Sequence, residues 1–198
     1  MMSKGQETRN QIIKQAAEVF NKRGFLGSSI SDVMQITGLQ KGGIYRHFES
    51  KEQLALEAFE YAQAQYSQRL EQAMAEQSDG LAKVRAFVEA FYGISQAPPI
   101  AGGCPVMNTI VDSDDGDPAL RLRAKAVIAN WLSMIEDAIR LGIQQGTIHP
   151  DIQVHKFASI IIAMIEGGIL LSQAHHSLRY MRFVYEHLLH TIDTQLAI

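Results

Sequence analysis

Apolar residues recur along this chain at intervals of three and four, and period-two alternation is scarce, so the pattern predicts helices from end to end. Ile12, Ile13, Ala16, Ala17 and Phe20 line one face of a first helix, which Gly24 stops. Ser28 and Ser29 offer N-caps to a short second helix that turns Ile30, Val33 and Met34 inward and ends at Thr37-Gly38. Gly38-Leu39-Gln40 links it to a third helix over about 41–47. Ser50 and Gln53 then make a capping box for a long fourth helix, about 51–77.

Ser78-Asp79-Gly80 interrupts the pattern, which resumes over about 81–96, and the loop APPIAGGCP follows at 97–105. A short helical piece is expected at 106–112. Asp117-Pro118, a cap with proline at the first helical position, opens a helix to about Gln145. Gly146 closes it, and two more helices are expected over about 151–175 and 178–196. There is no internal repeat. The expected fold is all-α with about nine helices.

Composition adds bounds. With 198 residues, 46% hydrophobic and 20% charged, the chain fits an ordinary globular protein of one or two modules. The start, MMSKGQETRN, is polar and mixed in charge, unlike a secretory signal. The most apolar run, Ala158–Ile165, stops at Glu166 and is far shorter than the ~20 residues that span a bilayer. A cytoplasmic protein without a membrane partner is expected. The single cysteine, Cys104, excludes an internal disulfide and a Cys-rich zinc site.

Charge is uneven. The net −3 divides into +4 for residues 1–51, with eight Lys/Arg against four acids, and −7 for the remainder. A basic module on an acidic body points to a local polyanion site.

Inside that module lies KGGIYRHF, residues 41–48. A short helix, a turn holding glycine and a second short helix form a helix-turn-helix. On a helical wheel Ile44 and Phe48 face the core, Gly42, Gly43, Arg46 and His47 face outward, and Lys41 and Tyr45 lie on the flank. Adjacent glycines cost helix stability. They make sense if a phosphate or groove wall presses against the backbone there, where N–H groups and the dipole favour an anion. The alternative is that Gly42-Gly43 belongs to the loop and the helix starts at Ile44.

The surrounding residues favour the first reading. Residues 8–62 resemble the DNA-binding domain of TetR-type bacterial regulators, most specifically in GFLGSSISDVMQITGLQKGGIYRHFESKEQL, 24–54, with its KGxxYxHF and S-K-x-x-L. The resemblance implies a three-helix reading domain over 1–50 and a helical regulatory and dimerisation domain over 51–198. It implies phosphate contacts from Lys41, Tyr45, His47, Lys51 and Ser28 or Ser29, and base reading from Thr37, Gln40, Gly43 and Arg46. Gly42 completes the bare end. Arg46 comes first for specificity, since a guanidinium grips guanine O6 and N7 together, worth ~1–3 kcal/mol. Two positions depart from the family's usual residues: Gln40 stands where Ser is common, and Gly43 where a small hydroxyl or Ala is common. Gly43 cannot read a base with a side chain, so Gln40 and Arg46 carry more of the readout.

The remainder divides by the same resemblance. ASIIIAMIEGGILL, 158–171, is apolar around its circumference, as is much of the last helix, and the two are expected to pair with a second copy. Gly167 and Gly168 would permit close approach there. Phe87, Phe91, Tyr92, Met107, Trp131, Met134, Ile135 and Met164, with Cys104 at the border, are the candidate walls of a pocket for a small apolar or planar effector. GGCPVMN also resembles a segment of one TetR-type subset, which leaves a thiol- or electrophile-sensing role for Cys104 as the alternative to packing. Glu166 reads as hydrogen-bonded structure. DSDDGDP, 112–118, misplaces the glycine and lacks the final glutamate of a calcium loop, so no metal is expected. His175-His176 reads as cap and surface. No paired base or oxyanion hole accompanies Cys104, and neither an enzyme nor a cofactor is expected. The expectation is a homodimeric repressor on double-stranded, palindromic operator DNA, released by a small molecule.

Overall fold

The computed structural model describes residues 3–113 and 117–198. Among them the chain forms nine α-helices and no strand: α1 (Lys4–Arg23), α2 (Ile30–Thr37), α3 (Lys41–Tyr45), α4 (Lys51–Ala75), α5 (Gly80–Gln96), α6 (Pro105–Asp112), α7 (Pro118–Gln145), α8 (Val154–Ala174) and α9 (Arg179–Thr191). A π-helical turn, Ile192–Leu196, prolongs α9. Two compact units emerge, residues 1–65 with 99–127 and residues 66–98 with 128–198. The reading domain expected over 1–50 lies within the first.

In the first unit, Ile12, Ala16, Val33, Ile44, Phe48, Leu54, Ala58 and Ile100 close one apolar core, with Phe20, Ile30, Met34 and Leu39 packed against it. Ser3 caps α1 by accepting from the Gln6 amide at 3.3 Å. At α2 the Ser29 hydroxyl accepts from the Asp32 amide while the Asp32 carboxylate accepts from the Ser29 amide at 2.8 Å, a full capping box. The box expected at α4 is altered: Ser50 accepts from the Gln53 amide at 3.1 Å, but the Gln53 side chain reaches past Ser50 to the Glu49 amide at 2.7 Å.

The third helix is shorter than its sequence pattern suggests. After Tyr45 the bonding tightens, with the His47 amide donating to the Ile44 carbonyl at 2.9 Å. That narrower turn delivers Phe48 into the core. The eighth helix begins at Val154, three residues after the expected start.

In the second unit α8 and α9 form an antiparallel hairpin. Gly168, expected at an interface between copies, works inside the chain: a Cβ there would lie 3.0 Å from Met181 Sδ and 3.1 Å from Val184 Cγ2. A Cβ on Gly167 would meet nothing within 4 Å among the described residues. α8 as a whole, 21 residues, is long and apolar enough to cross a membrane by length and composition alone, which the short run Ala158–Ile165 did not suggest.

α5 starts hard against the backbone of α7. A Cβ on Gly80 would stand 2.1 Å from the Gly142 amide nitrogen and 2.4 Å from the Ala138 carbonyl oxygen. Both are backbone atoms, so relief requires moving a helix. The Gly80→Ala variant is expected to lose about 2 kcal/mol or more of stability, read as a fall in urea midpoint at unchanged m-value.

Candidate nucleic-acid interface

The two short helices present a face built from the core outward. Ile44 and Phe48 are buried, which commits α3 to one rotation and exposes Gln40, Lys41, Gly42, Tyr45 and Arg46. Tyr45 is 40% exposed, so it is a surface residue and not part of the core flank. Gly43 and His47 are half-buried, with the His47 ring 6.4 Å from that of Phe48.

The adjacent glycines now have an answer from within the chain. A Cβ on Gly42 would meet nothing within 4 Å, and one on Gly43 would make only ordinary contact with Leu39 Cβ at 3.6 Å. Packing does not require either glycine, and neither is among the positive-φ residues.

Charge around this face is partly committed. Arg9 pairs with Glu57 at 2.7 Å, Arg23 pairs with Asp32, and Lys22 stands 3.9 Å from Glu18. Lys41 extends over the Tyr45 ring at 5.8 Å, and Arg46 is exposed with no ion pair among the described residues. Those two cations remain available to a polyanion.

Several expected contact residues have structural duties. Ser28 is buried and donates to the Gly24 carbonyl at 2.6 Å. Thr37 donates to the Val33 carbonyl at 2.7 Å. Lys51 donates to the Phe25 carbonyl at 2.6 Å and lies 4.1 Å over the Phe25 ring. Ser29 is exposed but engaged in its capping box.

Of the nine expected pocket residues, Phe87, Phe91, Tyr92, Trp131, Met134, Ile135 and Met164 belong to the second unit, and Cys104 and Met107 to the first. Phe91 packs 5.2 Å from Phe87 and edge-on to Trp131 at 5.2 Å, all three buried with Ile135. Tyr92 stacks on Tyr185 at 4.3 Å. There, burial and the neighbouring Glu89 and Tyr92 push the Tyr185 phenol up from its ordinary pKa. Met134 and Met164 are half-buried, and Met164 lines a groove of ≈ 470 Å³ between α8 and α9. Among the described residues the buried Trp131 Nε1–H has no acceptor. Cys104 is wholly buried at the N-cap of α6. His175 stacks on Tyr180 at 4.8 Å. In the acidic loop, residues 114–116 lie outside the described residues. Among the described residues no group of His, Cys, Asp and Glu could hold a metal ion.

One polar cluster escaped the sequence reading altogether. Asp112 accepts from the Phe25 amide at 2.6 Å and the Leu26 amide at 3.1 Å, and Asn108 donates to Asn21. The partners are more than eighty residues apart, so no local pattern links them.

Comparison with known proteins agrees with this geometry. A family model described as bacterial regulatory proteins, tetR family, matches residues 12–58. One described as the tetracyclin repressor-like C-terminal domain matches residues 80–188. The chain is 28% identical over 167 residues to the HTH-type transcriptional regulator LmrA of Bacillus subtilis (strain 168), across 84% of this chain and 86% of LmrA. It is also 28% identical over 166 residues to the HTH-type transcriptional repressor DhaR of Mycobacterium sp. (strain GP1), across 82% of this chain and 80% of DhaR. A crystal structure of a TetR transcriptional regulator from Chloroflexus aurantiacus J-10-FL matches over 100% of both chains, with 42% identity and a TM-score of 0.95.

The α2 capping box sets a further expectation. Hydrogen bonds from Ser29, and then the Arg23 guanidinium, hold the Asp32 carboxyl below its ordinary pKa. Its folded pKa is the lower one, so its stabilisation is present above the unfolded value and is lost as pH falls through the folded value. Ser29→Ala is expected to cost ~1 kcal/mol at neutral pH as a lost cap. Urea melts of the two proteins should draw closer as acid protonates Asp32, while the part due to the Ser29 hydroxyl accepting from the Asp32 amide persists.

Proposed function

This chain belongs to the TetR family of bacterial regulatory proteins, and we propose that it is a dimeric repressor whose α3 reads a palindromic operator and which a small molecule releases. The family is one of transcriptional regulators, not enzymes. The observation that carries DNA reading by α3 is the pair Gly42-Gly43: exposed or half-exposed, unneeded by the fold, and beside the uncommitted cations Lys41 and Arg46. A bare helix end flanked by cations suits close approach to a phosphate backbone, with Arg46 and Gln40 turned to base edges. Lys51, Ser28 and Thr37 act on DNA through the shape of the head more than by contact. The printed name of DhaR supports repression.

Dimerisation rests on uncovered apolar surface. Only 28% of the apolar stretch of α8 is buried within the chain, and Ile160, Leu171 and Phe183 are each about half exposed. A second copy covering α8 and α9 accounts for that surface without a bilayer, as suits a cytoplasmic DNA-binding protein. Two reading heads on one symmetry axis then match a palindrome.

The effector is an apolar or planar molecule bound around Phe87, Phe91, Tyr92, Trp131, Met134, Ile135 and Met164. The acceptor-less Trp131 indole favours one that carries a hydrogen-bond acceptor. By preferring a dimer with altered head separation, it releases DNA. Complete burial of Cys104 favours this reading over a thiol switch.

Two variants test the proposal. Gly42→Ala should raise helix stability by up to ~1 kcal/mol yet weaken binding to a duplex selected by the wild type from a random library. Undiminished binding would sink the close-approach reading. Phe183→Glu should convert the dimer to a monomer in light scattering, and a dimer of unchanged strength would exclude α9 from the interface.

A further inference from the structure

We infer that Asp112 and Asn108, on α6 and remote in sequence from the helix-turn-helix, are positioning residues for DNA binding: they hold the α1–α2 turn that orients the reading helices. The inference rests on the DNA-binding reading above.

Within its own sequence the turn between α1 and α2 is held by the Ser28 hydroxyl, which donates to the Gly24 carbonyl at 2.6 Å. The Ser28 amide reaches the Phe25 carbonyl only at 3.4 Å. The Phe25 and Leu26 amides both donate instead to one carboxylate oxygen, Oδ2 of Asp112, at 2.6 and 3.1 Å. A charged acceptor shared by two backbone donors fixes the orientation of that peptide pair. One helical turn back, Asn108 Nδ2 lies within hydrogen-bond distance of three oxygens: the Asn21 carbonyl at 3.1 Å, Asn21 Oδ1 at 3.0 Å and the Gly102 carbonyl at 2.7 Å. Asn21 is itself buried, and its Nδ2 donates to the Ala101 and Gly103 carbonyls, each at 3.1 Å. The carbonyl of Asn21 is one that the end of α1 leaves without a helical partner.

Two glycines on separate segments make room for this clamp. Gly24 has φ +77°, and a Cβ there would stand 2.7 Å from Asp112 Oδ1. Gly102 has φ +112°, and a Cβ there would stand 2.9 Å from the Asn21 carbonyl oxygen. The close approach is therefore built from both sides. α6 belongs to the same compact unit as α1–α3, so the reading head includes it. Any displacement of α6 pulls on the turn directly.

The test uses the full chain and a duplex selected by the wild type from a random library, with a scrambled duplex as control. In Asp112→Ala, affinity for the selected duplex should fall at least about tenfold, the scale for losing hydrogen bonds to a charged acceptor, while scrambled binding stays within about twofold. Asp112→Asn, which keeps an acceptor oxygen, should retain part of the selectivity, and Asn108→Ala should reduce it. Amide exchange at Leu26 should accelerate in Asp112→Ala without loss of a cooperative melt. An unchanged selected-to-scrambled ratio in a cooperatively folded Asp112→Ala overturns the inference. If that variant does not fold, an unchanged ratio in Asp112→Asn with unchanged Leu26 exchange does the same. A wild type that selects no duplex overturns the DNA-binding reading, and this inference with it.

Discussion

A five-residue helix has no stability of its own, because nucleation costs more than so few bonds return. α3 exists because Ile44 and Phe48 are buried in a core shared with α1, α2 and α4. That burial fixes the rotation of the helix, and the rotation decides which residues meet a partner. Gly42, Tyr45 and Arg46 are outward because Ile44 and Phe48 are inward. The chemistry of the interface is thus set by the packing behind it.

The same reasoning explains why so many polar residues near α3 do not face outward as contacts. A small head of short helices leaves many backbone groups without helical partners, and side chains must supply them. Ser28, Thr37 and Lys51 are used this way, on the Gly24, Val33 and Phe25 carbonyls. Asp112 and Asn108 do the same from farther away. In such a head a few uncommitted groups are held in place by many committed ones.

In the second unit, close backbone approach is the governing constraint. Gly80 lets α5 start against the backbone of α7, and Gly168 lets α9 lie against α8. With these approaches made inside the chain, the outer faces of α8 and α9 keep exposed leucine, isoleucine and phenylalanine. Tight internal packing thus leaves apolar surface uncovered on α8 and α9.

Much of this was legible in the sequence, and the reason is locality. Helical periodicity, the Ser29 cap, the Gly24 and Gly38 stops and the motif KGGIYRHF involve residues within one or two turns of each other, so their physics is written in spacing. The helix count and the outward Gly42 and Arg46 followed from that, whereas Gly43 and His47, also expected outward, are half-buried. Other features depended on atoms brought together from distant segments. Gly80, Gly168 and Gly102 look like ordinary breaks or small residues until the neighbouring backbone or side chain is in place. That Lys51 and Ser28 also bond the carbonyls of Phe25 and Gly24 appears only once those segments are in place. Asp112 looks like the start of an acidic loop until two amides from the α1–α2 turn arrive. Sequence alone determined which helices form and which face of each is apolar. Only the tertiary structure decided which polar groups are satisfied internally and which stay available to DNA, because a hydrogen bond across eighty residues leaves no periodic trace.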